Sequence, residues 1–233
     1  MNRVLFLFIV QINFFVLTQT SERYNTVYEK YYRAEKLFQK QQFGAARTEF
    51  REFVNNFTDY NNPIYVKALY YEGLSALALY NNDAITLLQD FNLRYPENIF
   101  KKEIWFKFGQ HYYSKKKHKE ALIWFNKLDP QDFNDREKEE FLFKKGYSFF
   151  KEGDLELARS CFYDVKDGST QYAEPSLYYY SHIAYQNKKY QHALNGFLKL
   201  KQSEKFSSVV PYYIAQIYYL QKNIIKIMIF FHQ

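Results

Sequence analysis

A single cysteine, Cys161, in 233 residues leaves no internal disulfide and no thiolate set for a zinc ion. It falls at a helix packing position and reads as a small buried hydrophobe. The chain has no glycine-rich phosphate loop and no GxSxG elbow. Its five histidines, His111, His118, His182, His192 and His232, form no HExxH pair and no tight cluster with carboxylates. Hydrolase and metalloenzyme chemistry therefore find no support, and the expectation is a non-enzyme with no cofactor and no metal. Seven glycines and five prolines allow few turns per residue, which suits helices.

Long basic tracts are also lacking. The formal net charge is +7, but it is spread over short clusters: Lys101-Lys102, Lys115-Lys116-Lys117, Lys144-Lys145 and Lys188-Lys189. Each reads as a solvated helix end or turn, and no nucleic-acid partner is expected. Attraction to an anionic partner or a membrane surface, as a peripheral or envelope association, is the remaining use of that charge. The acidic stretch Asp135 to Glu140 reads as a helix start with negative charge near its N-terminus.

Only one extended apolar run occurs near the start. Arg3 is followed by mostly apolar Val4 to Leu17, interrupted by Gln11 and Asn13, and then by Thr18-Gln19-Thr20-Ser21. The run is shorter than a membrane span needs. Residues 1–20 are expected to be a signal peptide, cleaved on export, with an uncleaved membrane anchor as the alternative. No cysteine follows the run to carry a lipid. Asn56-Phe57-Thr58 has the spacing of a glycosylation acceptor, which matters only in a host that glycosylates exported proteins.

What the chain does have is aromatic residues, 24 Tyr and 24 Phe, arranged in a repeat. Trp105, Phe108, Gly109 and Tyr112 lie at i, i+3, i+4, i+7, one face of a helix expected over Asn98 to Lys115. Lys116-Lys117-His118 makes a turn. Ala121, Phe125 and Leu128 then mark a second helix, ended by Asp129-Pro130. The grammar returns at steps of 34 to 39 residues. Leu142, Gly146 and Phe149 precede the Glu152-Gly153-Asp154 turn, followed by Ala158, Phe162 and Val165. Leu177, Ser181 and Ala184 precede Tyr190, Ala193, Phe197 and Leu200. Upstream, Ala34 and Leu37 precede Phe43, Ala46, Phe50 and Phe53. Leu69 and Gly73 precede Ala84, Leu88 and Phe91, closed by Pro96. This last unit is one residue short, so a tighter turn is expected at Tyr80 to Asp83.

A repeat of this length and composition resembles the tetratricopeptide repeat family, over roughly Asn25 to Gln221. The resemblance implies an all-α, right-handed superhelical solenoid of antiparallel helix hairpins, with about five full repeats and a partial sixth around Val210-Pro211, Ile214, Ala215 and Tyr218. It also implies protein or peptide binding on the concave face, lined by the first helix of each hairpin. One row of groove positions then reads Tyr31, Tyr70, Phe106, Phe143, Tyr178 and Tyr212. A second row reads Phe38, Leu77, Tyr113, Phe150, Tyr185 and Tyr219. Between them lie Glu35, Leu74, Gln110, Tyr147, His182 and Gln216. The candidate binding residues are Tyr70, Phe106, Gln110, Tyr113, Phe143, Tyr147, Phe150, Tyr178, His182 and Tyr185. Tyrosine suits peptide capture, because it offers apolar area with a polar tip. The competing reading is structural, since the family also packs neighbouring repeats with these rows. The in-between set holds few cations, so capture of a peptide's terminal carboxylate is not expected.

Residues 222–233 form an atypical apolar tail. In it Ile227 stands where the repeat has alanine, while Phe231 fits the aromatic slot. Solenoids end in a helix with a polar outer face, so the tail reads as a truncated repeat or an oligomerisation surface. The expected function is a non-catalytic protein-interaction scaffold of the cell envelope, in the periplasm or at the outer membrane. The alternatives are the repeat segment of a longer envelope protein, with its activity in a further C-terminal region, or a self-stacking structural oligomer.

Overall fold

A computed structural model describes residues 28–222, so the amino-terminal run, His232 and the tail from residue 223 lie outside the described residues. Among the described residues there are eleven α-helices, one 3-10 turn and no strand. The chain divides into two compact units at Lys101/Lys102. The first holds α1 (28–39), α2 (Phe43–Asn56), α3 (Pro63–Ala78) and α4 (Ala84–Arg94). The second holds α5 (Lys101–Ser114), α6 (His118–Phe125), α7 (Asp135–Glu152), α8 (Leu155–Val165), α9 (Ala173–Gln186), α10 (Tyr190–Lys199) and α11 (Val210–Leu220). The odd-numbered helices are the first helices of hairpins, and α11 supplies the sixth.

Each first helix ends the same way. A left-handed residue follows it: Gln41 (φ 58°), Tyr80 (56°), Lys116 (58°), Gly153 (87°), Lys188 (58°) and Lys222 (56°). The amide after that residue reaches back over the last turn. Gln42 donates to the Leu37 carbonyl at 2.9 Å, Lys117 to Tyr112 at 2.9 Å, Asp154 to Phe149 at 3.0 Å and Lys189 to Ala184 at 2.8 Å. These are Schellman closures, which satisfy carbonyls that the helix end would leave unpaired. Only Gly153 adopts the left-handed region without a Cβ penalty. In the other turns tertiary packing holds a Gln, Tyr or Lys there.

The hairpin closed by Tyr80 differs from expectation. Its turn is longer, not tighter. Three residues separate Tyr80 from α4, where one separates Gln41, Lys116, Gly153 and Lys188 from their second helices. Arg47 on α2 holds the lengthened turn through Asn81 and Asp83, while Arg51 pairs with buried Glu72 at 3.0 Å. Two helices of the third hairpin are also shorter than expected. Asn98 to Phe100 precede α5 outside any helix, and α6 stops at Phe125, before the proline could end it.

The crossing of each hairpin sets its core. Gly73 faces Leu88, Gly109 faces Phe125 and Gly146 faces Cys161 and Phe162. A methyl group on Gly146 would lie 2.8 Å from the Cys161 Cβ, and one on Gly109 would overlap the Phe125 ring. Phe50, Leu88, Phe125, Phe162 and Phe197 are all completely buried, as are Ala46, Ala84, Ala121, Ala158 and Ala193 one turn earlier. Burying each of these large side chains stabilises the fold by about 1.5–3 kcal/mol. Cys161 is only half-buried, and burial raises its thiol pKa to about 11, as befits a packing residue rather than a nucleophile.

Capping and loop contacts complete the frame. Asn134 accepts from the Glu137 amide at 3.0 Å, so α7 begins with Asp135 and Glu137 in its first turn. Glu139 accepts from the Ser169 and Thr170 amides, both at 3.1 Å, and from the Thr170 hydroxyl. Burial pulls this carboxyl upward, but those hydrogen bonds outweigh it and hold its pKa below the usual range. The Lys144-Lys145 pair is not a solvated turn. It lies inside α7, with Lys145 donating to the Phe125 carbonyl at 3.4 Å and covering the Phe141 ring at 5.4 Å. Lys115–Lys117 and Lys188–Lys189 are exposed turns, as expected.

Gly109→Val should lower the free energy of urea unfolding by about 1–3 kcal/mol, because Phe125 cannot move out of a filled core. Gly44→Ala, with open space around its Cβ on α2, should raise it by about 0.5–1 kcal/mol. Denaturant titration of both variants decides whether close approach, rather than helix propensity, selects glycine.

Candidate functional site

The first groove row is roofed by aromatic residues that arrive just before the next hairpin. In the first unit Tyr70 is 1 % exposed and lies flat against Phe100, with ring centroids 4.0 Å apart at 9°. In the second unit Phe106 is 7 % exposed beneath Phe133, at 5.0 Å. Phe143 meets Tyr172 at 5.2 Å, and Tyr178 stacks on Phe206 at 4.8 Å and 14°. Tyr70 and Phe106 are therefore core residues, which corrects their expected place on a binding surface. Phe133, Tyr172 and Phe206 are lone aromatics in mostly polar linkers, whereas Phe100 shares its linker with Tyr95 and Ile99.

The remaining candidates sit together on the second unit. Tyr113, Phe143, Tyr147, Phe150, Tyr178, His182 and Tyr185 are all half-buried. Tyr147 packs at 5.8 Å from Tyr113 and 6.2 Å from Phe143. His182 lies 6.0 Å from Tyr178 and 5.9 Å from Phe150. Two rings not assigned from sequence join these groups. Tyr179 touches Tyr147 at 5.3 Å, Phe150 at 5.1 Å and Phe162 at 5.4 Å. Tyr213 touches His182 at 5.4 Å, Tyr185 at 5.3 Å and Phe197 at 5.0 Å. In the first unit Tyr71 does the same with Phe38 at 4.8 Å and Phe50 at 5.6 Å. These three tyrosines each immediately follow a tyrosine of the first row, and in each Tyr-Tyr pair the second ring clamps the preceding hairpin.

Polar groups on this face are few and mostly committed. Gln110 donates to Glu140 at 2.6 Å, and Lys144 binds the same carboxylate while lying 5.7 Å from the Tyr113 ring. The Tyr185 hydroxyl donates to Gln216 at 2.8 Å, and Gln216 donates to the Tyr212 hydroxyl at 2.7 Å. Tyr212 and Tyr219 are largely exposed on α11. The Nδ1 atom of His182 is buried without a hydrogen-bond partner among the described residues. Burial pushes the Tyr113 and Tyr178 hydroxyls up to about 12, and the Tyr179 hydroxyl higher still, so all remain neutral hydrogen-bonding tips at any physiological pH. A cleft of about 520 Å³ flanks Tyr172, lined by Asp135, Arg136, Glu139, Glu140 and Thr170 among others.

His118 supports the face from beneath. It is buried at the start of α6, with its ring 5.7 Å from Tyr113 and 5.4 Å from Tyr147. Its Nδ1 lies 3.5 Å from the Ser148 hydroxyl, whose own proton goes to the Lys144 carbonyl. Among the described residues no group of His, Cys, Asp and Glu could hold a metal ion. The arrangement offers apolar contact and a few hydrogen bonds.

Helix hairpins in register, with small residues at each crossing, define a helical repeat protein. No family model and no curated protein matches the sequence. Solved structures do. A tetratricopeptide repeat protein from Parabacteroides merdae superposes with a TM-score of 0.59 at 14% identity, covering 88% of this chain and 77% of that one. The C-terminal part of a TPR repeat-containing protein from Cytophaga hutchinsonii gives a TM-score of 0.65 at 15% identity, covering 90% and 83%. The chain has the tetratricopeptide-repeat fold.

The second unit should lose stability in mild acid. Burial lowers the pKa of His111, His118 and His182, with Lys115 and Lys117 adding to the effect at His111 and Lys151 at His118, where Glu152 opposes it. The unfolded chain takes these protons near pH ~6.5, before the folded chain does. Stability is therefore full above that pH and falls as pH drops towards the folded values. Urea midpoints from pH 7.5 to 5.5 should decline, and His118→Phe should flatten the decline. An unchanged slope in that variant would show that His118 does not carry the effect.

Proposed function

We propose that this protein is a non-catalytic interaction scaffold that binds a peptide or protein segment on the aromatic face of residues 102–222. The observation that carries this reading is the pairing of roles along that face. Tyr179 and Tyr213 clamp neighbouring hairpins, which leaves Tyr113, Tyr147, Phe150, His182 and Tyr185 held in place but half-exposed. Rings fixed by the scaffold lose little further entropy when a partner packs on them. The few uncommitted polar groups favour an apolar or aromatic segment over a highly charged one. We further propose that the scaffold is exported and works in the cell envelope. That reading rests on the amino-terminal sequence, Arg3 followed by apolar Val4 to Leu17. Among the described residues no helix is long and apolar enough to cross a membrane.

Selection from a random peptide library against the full chain tests the face directly. Selected peptides should lose about tenfold or more in affinity on Tyr147→Ala or His182→Ala. They should be unaffected by Leu157→Ala and Tyr163→Ala, which alter exposed side chains of α8. Loss of binding confined to the α8 variants, or failure to select any peptide, would reject this face as the site.

A further inference from the structure

The positive charge of the described residues is concentrated at one end. Residues 28–174 hold 23 Lys and Arg against 23 Asp and Glu, and so carry no net charge. Residues 175–222, which take in nearly all of α9 and the whole of α10 and α11, hold six lysines and a single acid, Glu204. Three of those lysines share an edge. Lys188 and Lys222 are the left-handed residues that follow α9 and α11, and Lys189 is next to the first. Tyr178 of α9 meets Phe206, just before α11, at 4.8 Å, while Tyr185 meets Gln216, further along α11, at 2.8 Å. The two helices therefore run in the same direction and end together. All three lysines are exposed, and among the described residues none has an ion-pair partner. At the opposite edge Lys166 and Lys199 share Asp167, and Lys102 binds Asp132 at 2.5 Å.

The lysine edge also carries apolar surface. Tyr219 is 72 % exposed and Leu220 47 %, both within three positions of Lys222. The α7–α8 turn, with Glu152 and Asp154 beside Lys151, separates this cluster from the lysines of the α5–α6 turn.

We propose that the edge formed by Lys188, Lys189, Lys222, Tyr219 and Leu220 docks on a negatively charged lipid surface. Charge complementarity selects an anionic occupant, because no acid on this edge opposes the three lysines. The exposed ring and aliphatic side chain select lipid over an acidic protein segment. A tyrosine settles at the boundary of headgroups and acyl chains, and lysine stems lie along apolar surface with their ammonium groups in water. Lysines projecting from helix ends also suit a broad surface better than a single segment. The aromatic face stays open in this arrangement, since His182 stands six positions, about 9 Å of helix, before Lys188.

Sedimentation of the full chain with vesicles of equal parts phosphatidylglycerol and phosphatidylcholine, and with vesicles of phosphatidylcholine alone, tests the proposal. The apolar run Val4 to Leu17 is present in every variant, so its contribution is common to all. The chain should prefer the anionic vesicles, and added salt should remove that preference. Lys188→Gln with Lys189→Gln should weaken binding to them about twentyfold, at about fivefold per lysine. Lys199→Gln with Lys205→Gln makes the same charge change at the opposite edge and should weaken it by less than about twofold. Tyr219→Ser with Leu220→Ser should weaken binding at unchanged charge. Tyr147→Ala, on the aromatic face, should leave vesicle binding unchanged, so this proposal and the peptide-binding reading fail separately. Equal losses from the two lysine pairs, no preference for anionic vesicles, or full binding by the Tyr219 and Leu220 variant would overturn the proposal. Binding of polyglutamate without binding of vesicles would assign the edge to an acidic protein segment and overturn it too.

Discussion

Close approach at the centre of each hairpin is the constraint on which the rest depends. A large ring on the second helix can lie against the first helix only where the first helix has no bulk. Gly109 beneath Phe125 and Gly146 beneath Phe162 show the limit, since added methyl groups would collide. Once that contact is made, the turn has little freedom. The chain must reverse within a few residues, and it accepts a left-handed Gln, Tyr or Lys to do so. The strain of those turns, of order 1–2 kcal/mol each, is smaller than what the buried ring contributes. Packing therefore chooses the turn conformation, and glycine is not needed there.

The same economy of space explains how hairpins join. Tyr179 and Tyr213 each reach the buried ring of the preceding hairpin, Phe162 and Phe197 respectively. Lys144, at the equivalent position on α7, instead lies over Tyr113 and pairs with Glu140. A cation over the Tyr113 ring thus stands where the other hairpins have a stacked ring pair. The third and fourth hairpins are thus joined partly by charge and the later ones by rings.

The hairpin grammar was legible because it follows from period and residue size alone. Small residues recur at the crossings, and a buried ring stands nine residues past Gln41, Lys116, Gly153 and Lys188. The turn after Tyr80 was misread for a physical reason. A missing residue in the spacing suggests a shorter connection. In fact the second helix starts late, and Arg47 holds the extra turn residues through Asn81 and Asp83, a contact across 34 to 36 residues that no local pattern reports. Lys145 was misread as solvated because a charged pair looks like a surface, although its stem can pack on Phe141 while its head finds a carbonyl. The candidate face was half legible. The row positions follow the helical period, but Phe100, Phe133, Tyr172 and Phe206 lie in linkers outside that period, which does not report that linkers fold back over Tyr70, Phe106, Phe143 and Tyr178.

That roofing bears on what the face can do. Tyr70 in the first unit and Phe106 in the second each lie under another ring. On the proposed reading the face is the strip formed by Tyr147, His182 and their neighbours on the second unit, narrower than a row-by-row reading suggests. His182 is its most demanding member, because its Nδ1 is buried with no hydrogen bond among the described residues. An unsatisfied buried nitrogen costs about 1–3 kcal/mol, and because the atom is enclosed the fold itself bears that cost. On the proposed reading, the half-exposed rings of this strip favour an apolar or aromatic segment over a highly charged one.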